Sequence, residues 1–401
     1  MNMSNIEIPI LMYHSVGKVN RNWIWPFLTI PSEIFENQMK QLHLKGYQTL
    51  SLAEIQDLRA HSSRFPERSI GLTFDDGYLD NWVYAYPIMK KYGFKGTVFV
   101  NPEFVDPLET ARRNLDNVWE GEIESAEIES PGFLSWAEMR IMESTGVMDI
   151  QSHTMTHTWY FSEDEIVDFR HPMDKYAWID WNDHPDRKHK YLADDWAPDV
   201  EYGSPIYVHR KSLEGPQIFP PRELKEALVD YVRQRGGEDF FKRSDWGDSL
   251  FEKVGEFREG SLCGSEREDA AAFQERLHYE LVESRTTIER ELSKKVDFLC
   301  WPGGGLCEEA IALARENYQA ATLPSTYRTD SEGRFEQDSF FLKRFGVPNI
   351  IHGDGIHYFG GRYLHHMLNE VVGSIRHRRM RQVMKLARLI TLRRTGIRNE
   401  G

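Results

Sequence analysis

The chain is poor in cysteine, with three in 401 residues, at positions 263, 300 and 307. An odd count with no CxxC pair supplies no disulfide framework and suggests a reducing compartment, although Cys300 and Cys307 could still pair. No stretch of 18 apolar residues occurs, so no membrane-spanning helix is expected. The opening, MNMSNIEIPILMYHSVG, lacks a basic segment followed by a long apolar run. It leads straight into a strand-like stretch, so no signal peptide is expected and the default location is the cytoplasm. Positive charge is also short: 49 Lys and Arg against 63 Asp and Glu give a net charge of −14. That balance argues against a general nucleic-acid binder. No internal repeat is evident.

What is present suits a packed globular protein. Hydrophobic residues make up 40% of the chain and charged residues 28%, enough to build a core within one large domain or two ordinary ones. Eleven tryptophans are many. They serve either core packing or, in a hydrolase, stacking on sugar faces.

The first part of the chain alternates strand and helix signals. IPILMYHSV (8–16) is apolar and rich in β-formers, and reads as a buried strand. Residues 33–45 place Phe35, Met39, Leu42 and Ile34 on one helical face, and Gly46 stops the helix. SIGLTF (69–74), GTVFV (96–100) and VMDIQSH (147–153) read as strands. Helices are expected at 84–93, ended by Gly93, and at 135–144, where Ser135 and Glu138 form a capping box. The rhythm breaks from about 158 to 270, which is polar, aromatic and Pro-rich with one helix at 222–235. It resumes with a helix at 272–292, a strand at 296–302, a helix at 308–318 and a strand near 339–347. Such alternation implies an α/β fold with a parallel sheet.

Two motifs carry chemistry. TFDDG (73–77) follows a strand, and its adjacent carboxylates point different ways because strand side chains alternate. One could bind a metal while the other faces water, though an Asp-Gly pair is also an ordinary turn. SHTMTH (152–157) follows another strand. Its two histidines, four apart, can meet on one metal if the segment turns helically. Two imidazoles and a carboxylate suit zinc, and also cobalt, nickel or iron, and leave positions open for chemistry.

With these motifs in order, the chain resembles the polysaccharide deacetylase family of metal-dependent carbohydrate esterases, with its NodB-like domain. GLTFDDGYLDNWVYAYPIMKKYGFKGTVFV (71–100) looks like the first motif and its following elements, SHTMTH the second, and FLCWPGGG (298–305) the third in a Trp-Pro-Gly variant. LMYHSV (11–16) is similar to the first strand of the branch acting on biofilm polysaccharides. The resemblance covers roughly 7–158 and 272–350. It implies a distorted (β/α) barrel of about seven strands with active residues at strand C-terminal ends. It implies Asp76, His153 and His157 as ligands of one divalent metal, with zinc favoured. It implies Asp75 as general base on water, and the Gly303 N–H as an oxyanion donor. The general acid is His14 by the biofilm branch, with His352 in IIHGDG as the rival. Two departures stand out. Cys300 occupies the place of an Arg that orients the base, a role open to Arg344, and Gly303 replaces an aromatic.

The expected layout is a discontinuous catalytic barrel at 1–157 and 271–373. A subdomain at 158–270 would lie over the active rim, and a tail follows at 374–401. Residues 374–398 hold nine Lys or Arg and no acid. Met380, Val383, Met384, Ala387 and Ile390 share a helical face, so 374–395 reads as a basic amphipathic helix suited to an anionic membrane or to packing on the acidic body. The expected activity is N-deacetylation of a lipid-linked, nucleotide-linked or polymeric N-acetyl amino sugar in glycan biosynthesis. A deformylase, a cyclic-amide hydrolase and a non-catalytic sugar-binding protein are the alternatives.

Overall fold

In the computed structural model, the described residues are 8–20, 23–61, 65–193, 196, 199–260, 264–323, 338–352 and 355–398. Among the described residues the central sheet has nine strands, eight of them on one path: β1 (Ile10–Tyr13), β2 (Ser69–Phe74), β3 (Gly96–Val100), β4 (Met148–Ser152), β5 (Phe298–Leu299), β6 (Ala320–Thr322), β7 (Phe341–Leu342) and β8 (Arg344–Gly346); the ninth, Gln48–Thr49, pairs with β2 off that path. Strands β2 and β3 are buried at every position, as expected where helices cover the outside and side chains fill the inside.

The sheet order is β7-β6-β5-β4-β3-β2-β1-β8, and every neighbouring pair is parallel. Only Lys343 separates β7 from β8. The segment 341–346 therefore pairs with β6 through Phe341 and Leu342, and with β1 through Arg344, Phe345 and Gly346. One stretch of chain meets both ends of the sheet, so the sheet closes into a (β/α) barrel. Cys300 and Cys307 are free thiols, so the pairing left open by the sequence is not made, and Cys263 lies outside the described residues.

Helices between the strands follow their sequence signals closely. Ser32–Leu44 buries Phe35, Met39 and Leu42, together with Gln38. Trp136–Ser144 begins at a reciprocal capping box between Ser135 and Glu138. Gly93, at φ 70°, ends Tyr86–Tyr92 in the left-handed conformation that glycine adopts most readily. Two helices differ from expectation. Residues Asn81–Ala85 form a π-turn ahead of Tyr86–Tyr92. The single helix expected at 272–292 is Ala270–His278, a π-turn at Tyr279–Glu283, and Ser284–Leu292. The extra residue of a π-turn changes which side chains face inward, and here it buries Glu280 completely.

The stretch after His157 builds its own structure. Trp159–Phe169 pairs antiparallel with Pro205–Lys211, with irregular register near Ile166. Ile166, Phe169 and Tyr207 of this ribbon pack with Leu224 and Leu228 of helix Arg222–Arg233 and with Leu250 and Val254 of helix Trp246–Gly260. A second cluster joins Trp178 and Trp181 of the same stretch to Tyr78, Phe104 and Phe133 of the barrel loops. At the chain's end, helix Gly361–Val371 packs on Ser32–Leu44 and is followed by helix Ile375–Arg398. Among the described residues, no helix is long and apolar enough to cross a membrane.

The tightest point of the barrel wall tests this packing. A Cβ added at Gly96 would meet Leu72 O at 2.9 Å and Met89 Cε at 3.0 Å. Gly96→Ala should therefore cost about 1–3 kcal/mol of stability through overpacking. Urea unfolding of the variant is the measurement, and wild-type stability would contradict the close approach of β2 and β3.

Candidate active site

The TFDDG carboxylates diverge because the chain leaves the ladder between them. The Asp75 N–H still donates to Tyr13 O at 3.1 Å. Asp76 then enters positive φ, at 74°, and Gly77 follows at 67°. Asp is among the residues that tolerate this region. As a result Asp75 faces Arg344, whereas Asp76 Oδ1 faces His153 Nε2 at 3.1 Å and His157 Nε2 at 3.2 Å.

The second motif converges by a route the spacing did not suggest. Its residues are not helical. Thr154 and His157 instead take left-handed conformations, with φ of 65° and 47°, and these two reversals bring the imidazoles together with ring centroids 5.1 Å apart. Such backbone costs free energy and persists only where neighbours hold it. Glu280, from the π-turn, accepts hydrogen bonds from the N–H groups of Met155 (3.1 Å) and Thr156 (3.0 Å) and from the Thr156 hydroxyl. Asn101 Nδ2 donates to the carbonyls of His153 and Thr154. Lys188 donates to Thr156 O at 3.0 Å and pairs with Glu103. Glu280, Asn101 and Lys188 were not legible as site residues, since nothing in their local sequence marks them.

Asp76, His153 and His157 form a candidate metal site. A tetrahedral zinc site with bonds of 2.0–2.1 Å has ligand atoms roughly 3.3 Å apart. The 3.1 and 3.2 Å separations are close to that. The other ring nitrogen of His153, Nδ1, lies 2.8 Å from Cys300 O, where an N–H would donate and leave Nε2 as the ligand atom. A second grouping, Asp75, His153 and Cys300, is also compact. It is the poorer candidate, because Arg344 already engages both the Asp75 carboxylate and the Cys300 sulfur, and its charge would repel a cation.

Asp75 is buried and gripped by a two-pronged pair: Arg344 Nη1 to Oδ1 at 2.6 Å and Nη2 to Oδ2 at 2.8 Å. Burial pushes the Asp75 carboxyl upward, but the charge and hydrogen bonds of Arg344 outweigh it and hold the group below the usual carboxylate range. Thr73 Oγ1 and Cys300 Sγ accept further bonds from the same guanidinium. His14 Nε2 lies 3.9 Å from Asp75 Oδ2. Burial lowers the His14 imidazole, against the pull of Asp75 and Asp76.

These groups open onto a pocket of about 380 Å³ at the strand C-terminal ends. His14 and Gly303 line it, and His352 does not; His352 ends the hairpin strand Asn349–His352. The structure thus separates the two histidines between which the sequence left the acid role open. Gly303 has φ 51°, and Lys211 donates to its carbonyl at 2.7 Å. Trp159, Trp181 and Tyr191, from the stretch after His157, complete an aromatic wall with Trp25. Trp159 lies 5.8 Å from the His157 ring, so the wall begins beside the candidate metal site.

A parallel barrel with a carboxylate and two histidines at its C-terminal rim defines the class: a barrel protein with a candidate metal centre in an open pocket. Residues 62–183 match the family model described as polysaccharide deacetylase. Over that stretch the chain is similar to polysaccharide deacetylases. The Bacillus subtilis (strain 168) protein named "Putative polysaccharide deacetylase YxkH" is 44% identical over 94 residues, covering 23% of this chain and 32% of that protein. The poly-beta-1,6-N-acetyl-D-glucosamine N-deacetylase of Staphylococcus aureus (strain MSSA476) is 30% identical over 156 residues, covering 36% of this chain and 47% of that protein. The matched regions thus span 32% and 47% of these two relatives, less than half of either. A solved structure of a de-N-acetylase from Aggregatibacter actinomycetemcomitans aligns over 84% of this chain and 94% of its own, at 18% identity and a TM-score of 0.49.

The clamp on the histidine loop has a measurable consequence. Glu280→Ala strips two buried N–H groups of their acceptor, while Glu280→Gln keeps a polar partner of the same shape. Supporting residues of this kind typically contribute about 10–100-fold to metal affinity. Chelator competition should show zinc binding weakened in that range by Glu280→Ala and less by Glu280→Gln. Unchanged affinity in Glu280→Ala would show that the loop holds itself.

Proposed function

We propose that the chain is a metal-dependent N-deacetylase that removes acetyl from an N-acetylated amino sugar, within a lipid-linked, nucleotide-linked or polymeric glycan. One observation carries this reading: a carboxylate paired with Arg344 stands beside a separate three-residue candidate metal site, and both open into an aromatic pocket. A sugar-binding protein has no use for an unligated carboxylate fixed next to a metal. The named activity of the Staphylococcus aureus relative supports the acetyl and amino-sugar assignment.

The residues divide the work as follows. Asp76, His153 and His157 would hold one divalent ion, with zinc the best fit to the donor set. Such an ion supplies Lewis acidity, lowering the pKa of water and polarising the acyl carbonyl. Asp75 is ionised at neutral pH, so it can take a proton from the attacking water. The water oxygen bonds to the carbonyl carbon, and the carbonyl oxygen takes up negative charge. The Gly303 N–H is the backbone donor we assign to that oxygen, since its turn lines the pocket. The C–N bond then breaks, and the nitrogen needs a proton. His14 delivers it. Burial keeps His14 neutral at the outset, so the proton that it gives is the one Asp75 removed from water. Acetate and the free amino sugar leave. The tryptophans at the mouth offer flat apolar faces for the sugar ring.

Two experiments test these roles, both using acetate release from a panel of N-acetyl amino sugars and their oligomers. Asp75→Asn should retain zinc and lose turnover, and His14→Ala should retain zinc and slow by roughly 10²–10⁴-fold. Release of formate from N-formyl substrates, with N-acetyl sugars untouched, would transfer the protein to another class of amide hydrolase. The second experiment concerns pH. Arg344 keeps the Asp75 carboxyl low, so Arg344→Gln should raise it and move the acidic limb of kcat/KM to higher pH. The loss should be larger at pH 6 than at pH 8. A uniform loss at all pH values would mean that Arg344 acts only on structure.

A further inference from the structure

We propose that helix Ile375–Arg398 is a docking surface for an anionic lipid bilayer. Among the described residues, the helix packs its apolar contacts with the body along one side. Leu392 is buried and Met384 and Leu389 are half-buried, against Ile350, Phe359 and Tyr363. Arg381 completes that side by pairing with Glu370 and donating to the Tyr363 hydroxyl at 3.3 Å. A different set of apolar residues faces away: Met380, Val383, Leu386 and Ile390 are 45%, 61%, 59% and 43% exposed. Their spacing of three, three and four residues makes a single stripe along the helix.

Charge decides among the occupants of that stripe. Residues 374–398 carry nine Lys or Arg and no acid, in a chain of net charge −14. Arg376, Arg379 and Arg393 are exposed and lie beside the stripe by helical spacing. A nucleic acid would meet the cations and leave the apolar stripe in water. An apolar protein surface would cover the stripe and leave the cations without partners. A bilayer with anionic headgroups answers both, because the stripe enters the acyl boundary while the cations reach phosphate.

The position of the helix gives this surface a use. The hairpin of Asn349–His352 and Gly355–Tyr358 contributes Ile350 to the helix contact, and its Tyr358 hydroxyl donates to Phe27 O. Phe27 lines the pocket and is 43% exposed. One hairpin therefore connects the docking helix to the pocket mouth, an arrangement suited to a substrate whose carrier lies in the membrane.

The test is vesicle co-sedimentation of the full-length chain. Vesicles of phosphatidylcholine with phosphatidylglycerol should pellet the protein, phosphatidylcholine alone should not, and rising salt should reduce the bound fraction. The combined variant Val383→Gln, Leu386→Gln and Ile390→Gln should bind about tenfold or more weakly, with its thermal midpoint unchanged because these side chains are exposed. Arg376→Glu, Arg379→Glu and Arg393→Glu together should also weaken binding by about tenfold or more. No pelleting at low salt would overturn the proposal, as would binding that survives the glutamine variant. A dimer that the glutamine variant converts to monomer, without vesicle binding by the wild type, would assign the stripe to a second copy of the chain. Nucleic-acid binding without vesicle binding would overturn it equally.

Discussion

The pair between Arg344 and Asp75 joins the closure of the barrel to the chemistry of its rim. Arg344 is the first residue of β8, and its backbone pairs with Ile10 of β1 in the contact that completes the sheet. Its side chain then reaches across β1 to the end of β2 and fixes both oxygens of Asp75. A misplaced closing strand would leave a carboxylate buried without its cation. Breaking a buried pair in that way typically costs about 3–5 kcal/mol. Folding to the closed barrel and orienting the proposed base are thus coupled through a single side chain.

The histidine loop is over-determined in a comparable way. Two left-handed residues within four positions would ordinarily relax. They are held by acceptors and donors from three directions: Glu280 from the helix before β5, Asn101 from the end of β3, and Lys188 from the stretch beyond His157. Strain in the backbone is offset by hydrogen bonds to groups that are themselves buried, and the imidazole nitrogens arrive facing Asp76. A site fixed in this manner needs little rearrangement to accept an ion.

The parts legible in the sequence are those encoded locally. Strands followed apolar runs, the helix at Trp136 followed Ser135 and Glu138, and the paired carboxylates of TFDDG diverged as neighbours at a strand end should. What was not legible depends on distance or on backbone phase. Arg344, 269 residues from Asp75, could be named as its partner only through the resemblance, and Glu280, 124 residues from Thr156, could not be named at all. No periodicity reports such contacts. A π-turn adds one residue to a helix that otherwise reads as continuous, so the inward turn of Glu280 is invisible until the helix is built. Neither threonine nor histidine advertises positive φ, and for that reason HxxxH suggested a helical turn where the chain makes two reversals. The stretch after His157 read as polar and irregular. Its order comes from a ribbon partner some forty residues away, as in the pairing of Ile166 with Tyr207.

The surroundings of Cys300 show how Asp75 keeps a cation although position 300 does not supply one. The resemblance places an orienting Arg where this chain has Cys300. The requirement is a cation on Asp75, and the strand that delivers it is of secondary importance. Cys300 is buried, with its sulfur 3.5 Å from Asp75 Oδ2 and 3.0 Å from Arg344 Nη2. A small side chain at position 300 leaves room between β5 and β8 for a guanidinium arriving from the other side. A long side chain there would occupy the space that Arg344 now fills. The thiol also accepts one of the guanidinium hydrogens, and Thr73 accepts another, so the relocated cation meets partners on several sides. Cys300 and Arg344 suit each other physically: the small side chain leaves volume and the guanidinium supplies charge. The candidate metal-site residues, which follow β2 and β4, make no contact with Cys300 Sγ or the Arg344 side chain among the bonds described, so the support of the proposed base and the candidate metal site are held separately.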